Sequence, residues 1–130
     1  MLVYLVRHGE AVPAETDPLR PLSAKGQAEV EATAKQLLAE GAKVDEIWHS
    51  GKLRAKQTAE IIARVLNVSK VIEKKGLKPD DAVAPIADLI RKTDKNILIA
   101  GHMPFLGELA DLLGKKVEGF ESGGVVGISF

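Results

Sequence analysis

Cysteine is absent from this chain of 130 residues. Disulfide frameworks and thiolate metal sites are therefore excluded, and the absence suits a reducing compartment. An excess of charge is lacking too, because 18 Lys and Arg residues face 18 Asp and Glu residues. No global field draws the chain toward nucleic acid or a membrane surface, so any anion site has to be local. Long hydrophobic runs are also missing. The apolar stretch after Met1 has no basic residues before it and is broken at Arg7, too soon for a secretory core or a membrane span. The expected location is the cytoplasm. Repeats, linkers and low-complexity tracts do not occur. With 45% hydrophobic and 28% charged residues, the composition is that of an ordinary globular protein, and one domain over residues 1–130 is expected.

What is present begins with Y-L-V-R-H-G-E-A at residues 4–11. A β-forming run ends in a permanent cation (Arg7), the side chain that titrates near neutrality (His8) and a glycine that admits a sharp turn or a close approach (Gly9). That is chemistry placed at the end of a strand.

Along the chain, Leu2–Val6 predicts a buried central strand. Residues 12–22 contain Pro13, Pro18 and Pro21 and predict a long loop. Ser23 should cap a helix reaching about Ala39, with Val30, Ala34, Leu37 and Leu38 on its apolar face, Gly41 as its stop and Gly26 as a cost to it. A strand over Glu46–His49 leads through Ser50, the expected cap, into a helix over Leu53–Leu66. Val68–Ile72 predicts a third strand. A helix starting near Pro85 should bury Ile86, Leu89 and Ile90. Asn96–Ala100 predicts a fourth strand, Pro104 the first position of a helix ending near Leu113, and Val125–Phe130 a last strand, a candidate for an edge. Strands alternating with helices imply an α/β fold, a three-layer α/β/α domain with a mainly parallel sheet.

In such sheets ligands bind beyond the carboxyl ends of the strands. Strand one delivers Arg7 and His8 there, strand two His49 and Ser50 with Arg54 one turn further, and strand four His102. No carboxylate cluster accompanies them, so an anion suits this rim better than a metal. Bland readings compete: Arg54 as a solvated arginine paired with Glu60 or Asp45, Arg20 as an exposed loop residue, His49 as a structural histidine, Glu10 as a solvated carboxylate. Lys74, Lys75, Lys78, Lys115 and Lys116 read as solvated surface, some of which could meet an acidic partner.

Four segments in order, L-V-R-H-G-E-A, R-P-L-S-A-K-G at residues 20–26, S-G-K-L-R-A-K-Q-T-A at 50–59 and A-G-H-M-P at 100–104, resemble the histidine phosphatase superfamily with its phosphoglycerate mutase-like fold. The short chain is most similar to the SixA-type protein-phosphohistidine phosphatases. The resemblance implies that His8 is the nucleophile, that Arg7 and Arg54 bind the phosphoryl group, that His102 is the second active-site histidine, and that Arg20 is a further substrate contact. Gly9 and Ser50 are the remaining candidates for substrate contact. No metal and no cofactor are implied. A neutral imidazole can attack phosphorus while its other nitrogen donates to a carbonyl, and forked guanidinium groups match phosphoryl oxygens. His102 would hydrogen-bond the phosphoryl group, helped by the helix starting near Pro104, and could carry a proton in the complex.

Two departures from the family pattern stand out. Gly51 occupies the place of the usual proline after Ser50. K-K-G-L-K-P at residues 74–79 stands where phosphomonoesterases of the superfamily carry a carboxylate acid, leaving only Glu73, Asp80 and Asp81 nearby. An alkoxide leaving group needs such an acid, whereas the imidazole of phosphohistidine is a much weaker base. The expected substrate is therefore a histidine-phosphorylated protein, with no nucleic-acid or membrane partner. The alternatives are a phosphatase of small phosphomonoesters and a phosphoprotein-binding module without turnover. The oligomeric state is not legible.

Overall fold

Five short β-forming runs become the strands of one sheet in the computed structural model, which describes residues 2–129. In chain order the elements are β1 (Leu2–Arg7), α1 (Ala24–Ala39), β2 (Glu46–His49), α2 (Leu53–Leu66), β3 (Val71–Glu73), α3 (Ala84–Lys92), β4 (Ile97–Gly101), α4 (Phe105–Leu112) and β5 (Val125–Ser129). The strands lie in the order β3-β2-β4-β1-β5, all parallel except β5, which runs antiparallel to β1 at one edge. The α/β/α expectation and the edge strand are both found. Phe130, included in the predicted last strand, falls outside the described residues.

Side-chain alternation splits the core between the two faces of the sheet. Val3, Leu5, Ile97 and Ile99 point to one face, where they pack with Ile86 and Ile90 of α3 and Phe105, Leu106 and Leu109 of α4. Val6, Leu98 and Ala100 point to the other, against Val30, Ala34 and Leu37 of α1 and Ala59 and Ile62 of α2. Every residue of β4 is buried, as a central parallel strand covered on both faces requires.

Three local expectations need correction. Strand β3 starts at Val71, not Val68, because Asn67 takes a left-handed conformation and the Val68 N–H bonds back to the Ala63 carbonyl. Val68 is thereby spent on closing α2 and packs beneath it. Leu38 and Leu89 leave the apolar faces assigned to them and are 55% and 43% exposed, since the sheet covers a narrower arc of each helix than the hydrophobic pattern does. Ser23 does cap α1, accepting from the Gly26 N–H, but α2 is preceded by Lys52 with no side-chain cap, leaving Ser50 for other partners.

Gly26, which looked like a cost to α1, is where that helix meets the loop after β1. A Cβ at Gly26 would collide with the Glu10 carbonyl, and one at Gly9 would lie 2.6 Å from the Gly26 carbonyl oxygen and 2.8 Å from a Val30 methyl. The two glycines face each other so that the backbone carrying His8 can lie flat on the first turn of α1. Glu10 is fixed at this junction, accepting from the Ser23 hydroxyl at 3.2 Å and pairing with Lys25 at 3.4 Å.

Candidate active site

Strand register alone sets the two histidines side by side. Arg7 pairs with Gly101 across β1 and β4, so the next residue of each chain segment, His8 and His102, emerges at the same level of the carboxyl rim. The His8 N–H bonds the Gly101 carbonyl at 2.9 Å, and the two imidazole centroids are 5.1 Å apart. On the other side of β4, His49 pairs with Ala100, bringing Ser50 to His102, where Ser50 Oγ and His102 Nε2 share a hydrogen bond of 2.6 Å.

The backbone fixes the His8 ring. Its Nδ1 lies 2.7 Å from the Gly9 carbonyl oxygen; a carbonyl only accepts, so Nδ1 carries the hydrogen and Nε2 keeps its lone pair. The His8 pKa is lowered, first by burial and then by the charges of Arg54, Arg7 and Arg20, which outweigh the opposing bond to Gly9. His102, 1% exposed, is pushed down to about 3 by burial and by the charges of His8, Arg54, Lys52 and Arg20. Both rings are neutral at neutral pH. Every charged group whose field moves either ring is a cation or the other histidine; no carboxylate contributes.

The arginines close the constellation. Arg7 Nη1 donates to the Phe120 carbonyl at 2.8 Å, tying the end of β1 to the segment before β5. Arg54, in the first turn of α2, has its pKa lowered by burial and then by Arg20. It makes no ion pair with Glu60 or Asp45. Arg20, at a left-handed φ of 49°, donates from Nε to the Val12 carbonyl at 3.2 Å, and its charge reaches His8, Arg54 and His102. Among the described residues, three buried side-chain polar atoms have no partner: Arg7 Nε, Arg54 Nε and His102 Nδ1. All three belong to this one rim. Guanidinium groups beside a neutral imidazole are the chemistry of an oxyanion site.

Gly9 and Ser50 spend their bonding capacity within the protein. The Gly9 N–H donates to Thr58 Oγ1 at 3.2 Å, while Ser50 Oγ accepts from the Lys52 N–H at 3.3 Å besides its bond to His102. His49 is 5% exposed and its Nδ1 accepts from the Gly51 N–H at 3.1 Å, a structural assignment in keeping with its place on the strand. The sequence did not single out Thr58. Its hydroxyl, besides accepting from Gly9, donates to the Arg54 carbonyl at 2.8 Å, joining the loop after His8 to the helix that carries Arg54. Its position four residues after Arg54, polar amid the apolar face of α2, was the available signal.

The family model of the histidine phosphatase superfamily (branch 1) matches residues 3–79, and the chain belongs to that superfamily. Among its relatives, the phosphohistidine phosphatase SixA of Escherichia coli (strain K12) is 29% identical over 84% of this chain and 71% of its own. A protein of Picosynechococcus sp. is 31% identical over 87% of this chain and 73% of its own. Among solved structures, that of the protein histidine phosphatase SixA complexed with tungstate matches with a TM-score of 0.90 at 26% identity, covering 99% of this chain and 88% of that one.

Proposed function

We propose that this chain is a phosphohistidine phosphatase acting through a phospho-His8 intermediate. The observation that carries the reading is an imidazole whose Nδ1–H is held by Gly9, set 5.1 Å from the His102 ring and in the field of Arg54, Arg7 and Arg20 with no carboxylate among them. A tetrahedral oxyanion suits such a setting of guanidinium groups beside a neutral imidazole, and the tungstate complex of the SixA structure similar to this chain supports that guest.

In the first step His8 Nε2 attacks phosphorus and the phosphorus-nitrogen bond of the substrate breaks. The electron pair leaves on the substrate imidazole, which takes a proton from solvent. In the second step water attacks the phosphorus of phospho-His8, the new bond breaks with its electron pair returning to Nε2, and inorganic phosphate departs with the oxygen of water. Arg7 and Arg54 grip the equatorial oxygens, and Arg20 adds positive potential from the loop. Ser50 Oγ, sharing a 2.6 Å hydrogen bond with His102 Nε2, holds that ring beside His8. The bound anion would favour protonation of His102, opposing the burial that keeps it neutral in the free protein.

Cationic surroundings at both histidines leave no positioned carboxyl to protonate an alkoxide, which favours phosphohistidine. A second reading has one observation in its favour: Glu73 lines a cavity together with Ser50 and could serve as the acid for small phosphomonoesters. Steady-state rates on a phosphohistidine peptide beside a panel of sugar and glycerate phosphates, with and without chelator, separate the two. Preference for the peptide, resistance to chelator and indifference to Glu73→Gln are expected. Phosphomonoester turnover that collapses about a hundredfold in Glu73→Gln would establish the second reading instead. His8→Ala should abolish both turnover and acid-labile labelling of the protein; binding without release by the unaltered chain would make it a phosphoprotein-binding module.

A further inference from the structure

The same end of the sheet carries a second feature that the phosphoryl site leaves unused. A cavity of about 360 Å³ opens between the β2–α2 turn and the segment after β3, lined by Ser50, Glu73, Lys74, Lys75, Lys78 and Asp81. That volume lies in the range of ligand pockets. Ser50 is its common wall with the catalytic rim, since the same side chain bonds His102.

The charges of the cavity are unbalanced. None of Lys74, Lys75 and Lys78 is in an ion pair among the described residues. Three ammonium groups there outnumber two carboxylates, Asp81, which accepts from the Lys78 backbone N–H at 2.9 Å, and Glu73, which lies against Gly51. Lys74 is held in place, its Nζ 4.4 Å from the centre of the Trp48 ring and its backbone N–H bonded to the His49 carbonyl at 2.9 Å. Lys52, whose backbone N–H bonds Ser50 Oγ, adds a further cation whose field reaches His102. In a chain of zero net charge, a concentration of unpaired ammonium groups beside a phosphoryl site is a local recognition field.

We infer that this cavity receives acidic side chains flanking the phosphohistidine of a protein substrate. The inference rests on the phosphohistidine reading above and adds the local charge of the partner. A phosphohistidine seated against His8 directs its neighbouring residues over the shared Ser50 wall, where Asp or Glu meets Lys74, Lys75 and Lys78.

Three synthetic peptides, phosphorylated on histidine and differing only in Asp, Ser or Lys at the flanking positions, provide the test. The wild-type chain should prefer the Asp peptide to the Ser peptide by about five- to tenfold in kcat/KM at low ionic strength, and added KCl should erase the preference. The exposed lysines allow a charge reversal: Lys75→Glu combined with Lys78→Glu should invert the order and favour the Lys peptide, an outcome that misfolding cannot imitate. Equal turnover of all three peptides by the wild type, or an Asp preference that survives the double substitution, overturns this inference alone. No turnover of any of them by the wild type overturns the phosphohistidine reading and this inference with it.

Discussion

Thr58 shows how a single hydroxyl can couple two parts of a candidate active site. It accepts from the Gly9 N–H and donates to the Arg54 carbonyl, so its loss leaves a buried N–H unsatisfied at a cost of about 1–3 kcal/mol and frees the loop that aims His8. Thr58→Val should lower kcat on phosphohistidine about tenfold or more, and Thr58→Ser should restore most of it; equal rates for all three chains would remove Thr58 from the positioning machinery. The state of His8 makes a second prediction. Because its pKa is lowered and the neutral ring is the proposed nucleophile, kcat/KM should stay level from pH 8 to 7 and fall on the acid side with an apparent pKa below the ordinary 6.5 of histidine. An acid limb centred above 6.5 would contradict the neutral-ring assignment. At this scale the motifs were readable where the residue type itself declares chemistry, as at His8, Arg54 and His102. Thr58 declared itself only by position, a polar residue amid the apolar face of α2, and not by its type.

The β2–α2 turn explains why a glycine stands where the superfamily pattern has proline. Gly51 has φ of +91°, its N–H serves His49 Nδ1, and a Cβ there would lie 2.8 Å from the Glu73 carboxyl carbon. Proline can satisfy none of these conditions, because its φ is fixed near −65° and it has no N–H. Gly51→Pro should therefore destabilise the chain by about 3 kcal/mol or more, read as a lowered urea midpoint, and should displace Ser50 enough to cost activity beyond the lost stability. Retention of both would mean that the turn has a second accessible conformation. From sequence alone this departure looked like a slight loosening. The compensating partners, a histidine on one strand and a glutamate on the next, are brought together only by the parallel pairing of β2 with β3. The displaced start of β3 has a related cause: apolar spacing at Val68, Val71 and Ile72 fits a strand, while the left-handed Asn67 that diverts Val68 to the end of α2 leaves no mark on that spacing.

For the molecule as a whole, all three histidines lie in surroundings that resist protonation, each with its pKa below the usual 6.5. The unfolded chain takes up protons below pH 6.5 that the folded chain declines, so stability is full above that value and is lost as pH falls, for His102 down to about 3. Each histidine contributes a slope of at most about 1.4 kcal/mol per pH unit. Urea unfolding at pH 7.5, 6 and 5 should show a progressive decline, flattened in His102→Gln; a pH-independent midpoint would count against the buried neutral rings. The layered architecture was legible because alternation and helix period agree along most of the chain, whereas the coupling of distant segments was not. Arg7 owes its placement to a carbonyl 113 residues further along, and its own backbone bonds Gly123 and Gly124. A chain carried only as far as α4 holds every residue of the rim, yet lacks the Phe120 carbonyl and the Gly123 and Gly124 backbone that clasp Arg7. Excising residues 120–124 would leave every side chain of the rim present and its first guanidinium unaimed, a phosphatase in composition only.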